Sequence, residues 1–205
     1  MHLLAAERVL QFLRGSYEDG LTYSDPGPEL RNRLLGWVDC DYASDPDTRK
    51  SVTGYVLSLN NAPISWKAKR QDCVTLSSAE AEYVAASMAG QEVVYLRAML
   101  RGFGYEQTFP TDVWEDNAAC IQIANNPVNR KFTRHIDTRR YYVRDLVRDG
   151  FMTLVKCAGT QNVADALTKS LPGPAWSLHR PYLTGTRAEY RAFLVTLGLL
   201  SLIHI

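Results

Sequence analysis

Apolar residues recur with two different periods along the chain, and each change of period predicts a new element. In residues 4–14, leucine and valine recur at helical spacing and Gly15 follows as a stop signal, so we predict a helix. Residues 25–28, rich in proline and glycine, predict a loop, and the apolar run at 34–40 predicts a strand. We therefore place a domain boundary near residue 30.

Two further segments, 53–59 and 62–67, predict the two strands of a hairpin. Asn60 and Asn61 between them favour the tight turn that joins antiparallel strands. Together with the strand at 34–40, this hairpin predicts an antiparallel meander of three strands.

The proline-free stretch 78–101 is rich in alanine, glutamate, leucine and methionine and predicts the longest helix, which Ser77 or Ser78 can cap. The remaining predicted elements are a strand at 111–116, a helix at 117–125, a helix at 137–148, a strand at 151–157 and a short helix at 162–169. This order predicts an α/β domain in which helices pack on a mixed sheet.

Composition narrows the class of protein. The 205 residues suit one domain with flanking pieces, and the 46% hydrophobic and 22% charged residues are typical of soluble globular proteins. A net charge of +1 neither favours nor excludes a polyanionic partner, because affinity for nucleic acid depends on where cations cluster. Four scattered cysteines without a CxxC pair favour reduced thiols over disulfides or a zinc site.

No apolar run reaches the length of about 18 residues that marks a membrane span, and the N-terminus is too short and too polar for a signal peptide. We therefore expect an intracellular, cytoplasmic protein that has no membrane partner. We also expect no small-molecule cofactor.

Carboxylates are the candidate catalytic groups. Asp39 lies in the first predicted strand, Asp116 ends the fourth, Asp165 is early in the last short helix, and Glu80 and Glu82 are near the start of the long helix. Strand ends and helix starts can bring such groups together, where their mutual repulsion requires cations. Oxygen ligands suit Mg²⁺ or Mn²⁺, and two such ions can promote hydrolysis of a phosphodiester.

Six ordered blocks of the sequence resemble the ribonuclease H blocks of copia-type retrotransposon polyproteins. They are residues 36–43, 63–71, 76–83, 115–117, 134–137 and 162–169. The resemblance implies a ribonuclease H-like fold, with a five-stranded mixed sheet flanked by helices. It also implies hydrolysis of the RNA strand of an RNA/DNA hybrid with two Mg²⁺ ions, or Mn²⁺, held by a catalytic quartet of Asp39, Glu82, Asp116 and Asp165.

The same resemblance divides the chain into three parts. Residues 1–30 resemble the end of the segment that connects reverse transcriptase to this domain, and residues 31–172 correspond to the ribonuclease H domain. Residues 173–205 form a tail that we expect to be helical, with a terminal helix over the apolar run at 193–200. Its last residues, 201–205, match nothing expected of the family, and a foreign origin stays open. The reverse transcriptase domain of the same polyprotein is the implied partner, and a virus-like particle is an alternative location.

The choice between the two glutamates depends on helix geometry. Residues two apart on a helix point about 200° apart, so only one of Glu80 and Glu82 can face the metal site. The family pattern around residue 82 favours Glu82, and Glu80 is better placed to stabilise the helix N-terminus. Asp41 shares a strand face with Asp39 and is a candidate outer ligand.

A proton-transfer residue is not assigned. Cellular ribonucleases H have a histidine in the loop before the last helix, whereas residues 157–161 contain none. His135 is the candidate substitute, although a histidine just ahead of a helix more often makes a capping or phosphate contact.

Two basic clusters are candidate contacts for the hybrid. The first comprises Lys67, Lys69 and Arg70. The second, in which aromatic residues interleave the cations, comprises Arg130, Lys131, Arg134, His135, Arg139 and Arg140. Such clusters suit phosphate contact and stacking, and the wide minor groove of an A-like hybrid exposes the 2′-hydroxyls that distinguish RNA. Trp37 and Trp66 are predicted to be core residues.

Two other functions compete with this interpretation. Integrases of the same fold also use three carboxylates, but they lack an acid at the start of the first long helix and end on glutamate. Glu82 and Asp165 therefore favour a ribonuclease H. The other alternative is a non-catalytic module that steadies a polymerase on its template, and retention of all four acids favours catalysis over it.

Overall fold

A five-stranded sheet organises the described part of the molecule. The computed structural model describes residues 2–125 and 134–186, and the side chains of residues 3–125 and 141–186. The strands are β1 (Leu35–Asp41), β2 (Val52–Leu59), β3 (Ala62–Arg70), β4 (Thr111–Glu115) and β5 (Met152–Lys156). Their order in the sheet is β3-β2-β1-β4-β5.

The sheet is mixed, as the sequence predicts. β1, β2 and β3 form an antiparallel meander, with Asp39 opposite Gly54. β4 lies parallel to both β1 and β5. The turn between β2 and β3 consists of Asn60 and Asn61, whose φ angles of 50° and 69° are those of a tight hairpin turn.

Helices cover both faces of the sheet. They are α1 (His2–Ser16), α2 (Ser78–Gly102), α3 (Ala118–Asn125), α4 (Arg134–Arg148), α5 (Asp165–Thr168) and α6 (Gly173–Thr184). A short 3-10 helix at Gly159–Gln161 precedes α5. α2, α3 and α4 share one core cluster with the sheet, and α6 and the loop into α5 share the other. Within the described part of the chain, no helix has the length and apolar character needed to cross a membrane.

The N-terminus of α2 shows how the longest helix is fixed. Ser77 is its N-cap, and its hydroxyl accepts a hydrogen bond from the backbone N–H of Glu80 at 3.2 Å. The Glu80 carboxylate in turn accepts the N–H of Leu76 at 2.7 Å. These reciprocal bonds satisfy donors that the first turn leaves unpaired, and they fix the direction in which Glu82 points.

The two tryptophans that we predicted to be core residues differ. Trp37 is buried and stacks on Trp114 of the neighbouring parallel strand, with 4.8 Å between ring centroids. Trp66 is 55% exposed, so that prediction is wrong. It lies on edge strand β3 near Leu167 and Leu183, where the layer formed by α5 and α6 covers only part of the sheet.

Two predicted helix boundaries also need correction. α4 begins at Arg134 rather than near residue 137, because Arg134, His135 and Ile136 contain no helix breaker. His135 therefore lies within the helix and not ahead of it. The helix predicted over 162–169 is limited to α5, since the side chain of Asn162 is engaged with the backbone.

The segment before β1 packs against α6. Phe12 of α1 makes an edge contact with Trp176 of α6, with ring centroids 5.4 Å apart. Arg180 pairs with Asp19, and the N–H of Thr22 donates to the carbonyl of Thr184 at 2.8 Å. The predicted terminal helix at 193–200 lies outside the described residues.

α5 approaches the sheet closely at one glycine. A methyl group on the Cα of Gly54 would lie 2.6 Å from Cγ2 of Thr168 and 3.1 Å from the carbonyl oxygen of Ala164. Asn162, which is fully buried, secures the same approach by donating from Nδ2 to the carbonyl of Val38 at 2.8 Å. α5 is thus held directly over the strand that carries Asp39.

We predict that Gly54→Ala lowers the free energy of unfolding by about 1–3 kcal/mol, because the added methyl overpacks the contact between β2 and α5. Chemical denaturation measures this change. Gly102→Ala is the matched control, since a methyl there meets nothing within 4 Å. Equal stability of the two variants would contradict the close approach.

Candidate active site

Three carboxylates from separate elements meet at one edge of the sheet. Asp39 lies near the end of β1, and Asp116 directly follows β4, which is parallel to β1, so both strands end at this edge. Glu82 lies in the second turn of α2. One oxygen of each of these three residues lies within 4.8 Å of the others, and this is the acidic triad.

The triad is largely withdrawn from water. Asp39 is 1% exposed and Glu82 is 6% exposed. Burial, followed by the negative charges of Glu115 and Asp39, raises the pKa of Glu82 to about 10. Burial and the charge of Asp39 also raise the pKa of Asp116. Like charges in a site of low dielectric constant cannot all be ionised without a cation.

The triad fits a hard divalent cation. Oε2 of Glu82 is buried and has no hydrogen-bond partner within the described residues, which is costly for a carboxylate oxygen. The donor set consists of carboxylate oxygens only, and such sets suit Mg²⁺ or Mn²⁺. A bound cation would satisfy the orphaned oxygen and offset the repulsion.

Asp165 joins the site through a lysine rather than through the triad. Nζ of Lys169 lies 2.9 Å from Oδ1 of Asp165 and 3.1 Å from Oδ1 of Asp39. The hydroxyl of Thr168 donates to Oδ2 of Asp39. Burial raises the pKa of Asp165 to about 6, although the hydrogen bond from Lys169 acts in the opposite direction. All four acids predicted from the sequence therefore lie at one site.

Glu115 is an additional acid that the sequence did not single out. It is completely buried, and its Oε1 accepts the N–H of Asn117 at 2.8 Å. Its Oε2 has no partner among the described residues. Burial raises the pKa of Glu115 to about 8, and this carboxyl is among the charges that raise the pKa of Glu82.

A buried amide links the two elements that carry Asp39 and Glu82. Nε2 of Gln71 donates to the carbonyl of Ala81 at 2.9 Å and to Oγ1 of Thr53 at 3.0 Å. It also lies 3.4 Å from Sγ of Cys40, the residue after Asp39. This network ties the first turn of α2 to the meander and so fixes the position of Glu82 relative to β1.

The loop that replaces the expected histidine approaches the triad through a glycine. A methyl group on the Cα of Gly159 would lie 3.1 Å from Oδ2 of Asp116. The loop contributes no titratable side chain between residues 158 and 161. The side chain of His135 lies outside the described side chains, so its proposed role stays a prediction.

The first basic cluster lies on the exposed end of β3. Lys67, Lys69 and Arg70 are all exposed. Lys69 pairs with Asp72 at 3.2 Å and Arg70 with Asp45 at 2.5 Å. Lys67 makes no ion pair within the described part of the chain. The second cluster lies outside the described side chains: Arg130, Lys131, Arg134, His135, Arg139 and Arg140.

The other two acids considered from the sequence, Glu80 and Asp41, lie outside the triad. Glu80 accepts a hydrogen bond at the N-terminus of α2 and lies outside the triad, as predicted. Asp41 is also outside the triad in the described structure, so its role as an outer ligand stays a prediction.

The residues that sequence reasoning missed are Gln71, Glu115, Gly159, Asn162, Thr168 and Lys169. All of them except Gly159 lie in the blocks that resemble the family, and the spacing of four residues between Asp165 and Lys169 also favours an ion pair on a helix.

The sequence is similar to polyproteins of plant retrotransposons. Over 171 residues the chain is 37% identical to the retrovirus-related Pol polyprotein from transposon TNT 1-94 of Nicotiana tabacum, and the match covers 83% of the chain. Over 175 residues it is 32% identical to the polyprotein from transposon RE1 of Arabidopsis thaliana, covering 85% of the chain. The chain spans 12% of the length of each of these relatives.

The fold is similar to that of cellular ribonucleases H. The structure of LC11 ribonuclease H1, isolated from compost, superposes with a TM-score of 0.51 at 14% identity, covering 66% of this chain and 92% of that one. No protein-family model matches the chain. The described fold and the sequence similarity agree: the chain belongs to the copia-type retrotransposon Pol polyproteins and has the ribonuclease H fold.

Proposed function

We propose that this chain is the ribonuclease H of its polyprotein and hydrolyses the RNA strand of an RNA/DNA hybrid with two Mg²⁺ ions. The observation that carries this proposal is the acidic triad of Asp39, Glu82 and Asp116, whose oxygens converge within 4.8 Å at the edge of a ribonuclease H sheet. Mn²⁺ has similar ligand preferences and is the alternative ion.

The chain supplies two neighbouring positions for cations. Asp39, Glu82 and Asp116 would hold one, and Asp39 with Asp165 would hold the other, so Asp39 contributes to both. When bound, such a pair of ions activates a water and stabilises the leaving oxygen of the phosphodiester. Gln71 and Asn162 hold the elements that carry these carboxylates by donating hydrogen bonds to backbone carbonyls. Thr168 donates a hydrogen bond to Asp39 itself.

The exposed end of β3 supports a polyanionic substrate. Lys67 has no acidic partner in the described structure, so its charge is available to a backbone phosphate. Selectivity for a hybrid would come from the shape of its wide minor groove and from its 2′-hydroxyls, with no reading of base sequence. The relatives are Pol polyproteins, which suits a role beside the reverse transcriptase of the same polyprotein.

Cleavage of a strand-labelled hybrid tests this function directly. We expect Mg²⁺-dependent cuts in the RNA strand of the hybrid and none in duplex DNA or duplex RNA of the same sequence. Binding of the hybrid without cleavage, at any Mg²⁺ or Mn²⁺ concentration, would instead support a non-catalytic module.

We predict that Glu82→Gln removes almost all turnover and changes the free energy of unfolding in EDTA by less than about 1 kcal/mol. The pKa of Glu82 is raised to about 10, so the metal-free protein already holds this group neutral at pH 7, and glutamine mimics that form. Hybrid cleavage and denaturation in EDTA measure the two effects.

Glu80→Gln is the matched control for that variant. It should retain turnover and lose about 0.3–1 kcal/mol of stability, because it removes the negative charge that interacts favourably with the helix N-terminus. Inactivity of Glu80→Gln together with activity of Glu82→Gln would contradict the assignment of Glu82.

We predict that Gly159→Ala weakens Mg²⁺ binding by up to about tenfold, because the new methyl displaces the carboxylate of Asp116. Calorimetric titration of the metal measures this effect. Gly173→Ala, where a methyl meets nothing within 4 Å, should leave the affinity unchanged. The same Mg²⁺ affinity in both variants would show that the close approach of Gly159 to Asp116 does not affect metal binding.

We predict that Lys67→Ala reduces the salt dependence of hybrid binding by about one unit of slope, and that Arg70→Ala reduces it less. The reason is that Asp45 already neutralises Arg70, and the backbone N–H of Thr48 and the Arg70 guanidinium hold the pKa of Asp45 low. Binding measured at several salt concentrations gives both slopes. An equal reduction of the slope in both variants would show that the ion pair with Asp45 does not prevent Arg70 from contacting the phosphates.

A further inference from the structure

Lys169 is the cation that lies within the acidic site. Its ammonium group lies between two acids of the site, 3.1 Å from Oδ1 of Asp39 and 2.9 Å from Oδ1 of Asp165. Asp39 is 1% exposed, whereas the Lys169 side chain is 37% exposed. The protein's own positive charge thus lies where two carboxylates would otherwise face each other.

The two sides of Asp39 are therefore different. On the side of Asp165, Lys169 supplies the positive charge. On the side of Glu82 and Asp116, the described residues contribute no cation in an ion pair, and Oε2 of Glu82 has no partner. One cation position is thus open and the other is filled by the chain itself.

We propose that Lys169 is a tethered counter-ion that fills the position between Asp39 and Asp165, and that the second divalent ion binds there only by displacing it. This inference rests on the proposed two-ion function. It makes the two cation positions unequal: the triad accepts its ion without competition, and the second ion must first break two ion pairs.

The geometry allows this exchange without unfolding. Lys169 directly follows α5, one turn after Asp165, and its side chain reaches solvent. Thr168 and Asn162 keep their bonds to Asp39 and to the carbonyl of Val38, so α5 stays in place when the ammonium swings out. The lysine therefore stabilises the metal-free site and lowers its affinity for the second ion.

A titration with Mn²⁺ tests the proposal on the chain without substrate. Calorimetry gives the affinities, and the electron paramagnetic resonance signal of free Mn²⁺ gives the number of ions bound. The variants are Lys169→Met, which removes the charge, and Lys169→Arg, which keeps a cation. Lys50→Met is the matched control, because it removes one positive charge from a lysine that makes no ion pair in the described part of the chain.

We expect wild type to bind one Mn²⁺ ion more tightly than the second. In Lys169→Met the second ion should bind about tenfold more tightly, with a smaller change for the first, because a partly exposed pair of charge-assisted hydrogen bonds no longer competes. Lys169→Arg and Lys50→Met should resemble wild type. In EDTA, Lys169→Met should also have a Tm lower by roughly 2–6 °C, since the acids lose their counter-ion.

Three results would overturn the proposal. If both ions bind Lys169→Met with wild-type affinity, Lys169 does not compete, and the two-ion function still stands. If both affinities increase by the same factor, the lysine acts only through its charge and is not displaced. If neither wild type nor Lys169→Met binds Mn²⁺, the proposed function fails together with this inference.

Discussion

The concentration of buried negative charge at one edge of the sheet is the constraint on which the rest of the structure depends. Asp39, Glu82 and Asp116 have oxygens within 4.8 Å of one another, and the completely buried Glu115 adds a further acid whose charge acts on Glu82. Without a metal, such a cluster is tolerated only if some of its carboxyls stay protonated. Burial and the neighbouring negative charges raise the pKa of Glu82 to about 10, which keeps this carboxyl protonated. A rigid frame must hold the acids together against their repulsion.

The frame consists of contacts that reach the acids through the backbone. Gln71 bonds the first turn of α2 to β2, and Asn162 bonds the entrance of α5 to the carbonyl of Val38 beside Asp39. Gly54 lets α5 approach β2 closely enough for Thr168 to donate to Asp39. A shift in any of these contacts changes the separation of the carboxylates, so the residues around the acids are as tightly constrained as the acids themselves.

Binding of a metal would lift this constraint. A divalent cation at the triad would satisfy the orphaned oxygen of Glu82 and remove the penalty of ionising the cluster, so binding of metal and stability of the site are linked. Lys169 reduces the same penalty on the side of Asp165. Lys169 would therefore stabilise the metal-free form at the expense of affinity for one ion.

The sequence alone determined the order of the strands and helices along the chain, the hairpin turn at Asn60 and Asn61, and a serine cap at Ser77 or Ser78. These features depend on neighbours within a few residues. Helix geometry showed that only one of Glu80 and Glu82 can face the site, and the resemblance to the family pattern selected Glu82. The sequence could not show that Glu115 is buried, that Trp66 is exposed or that the last helix begins only at Asp165, after Asn162 has engaged the backbone. It also could not place Lys169 between Asp39 and Asp165, because that contact spans 130 residues for Asp39. Such features depend on which surfaces the sheet and helices bring together, and only the tertiary structure decides that.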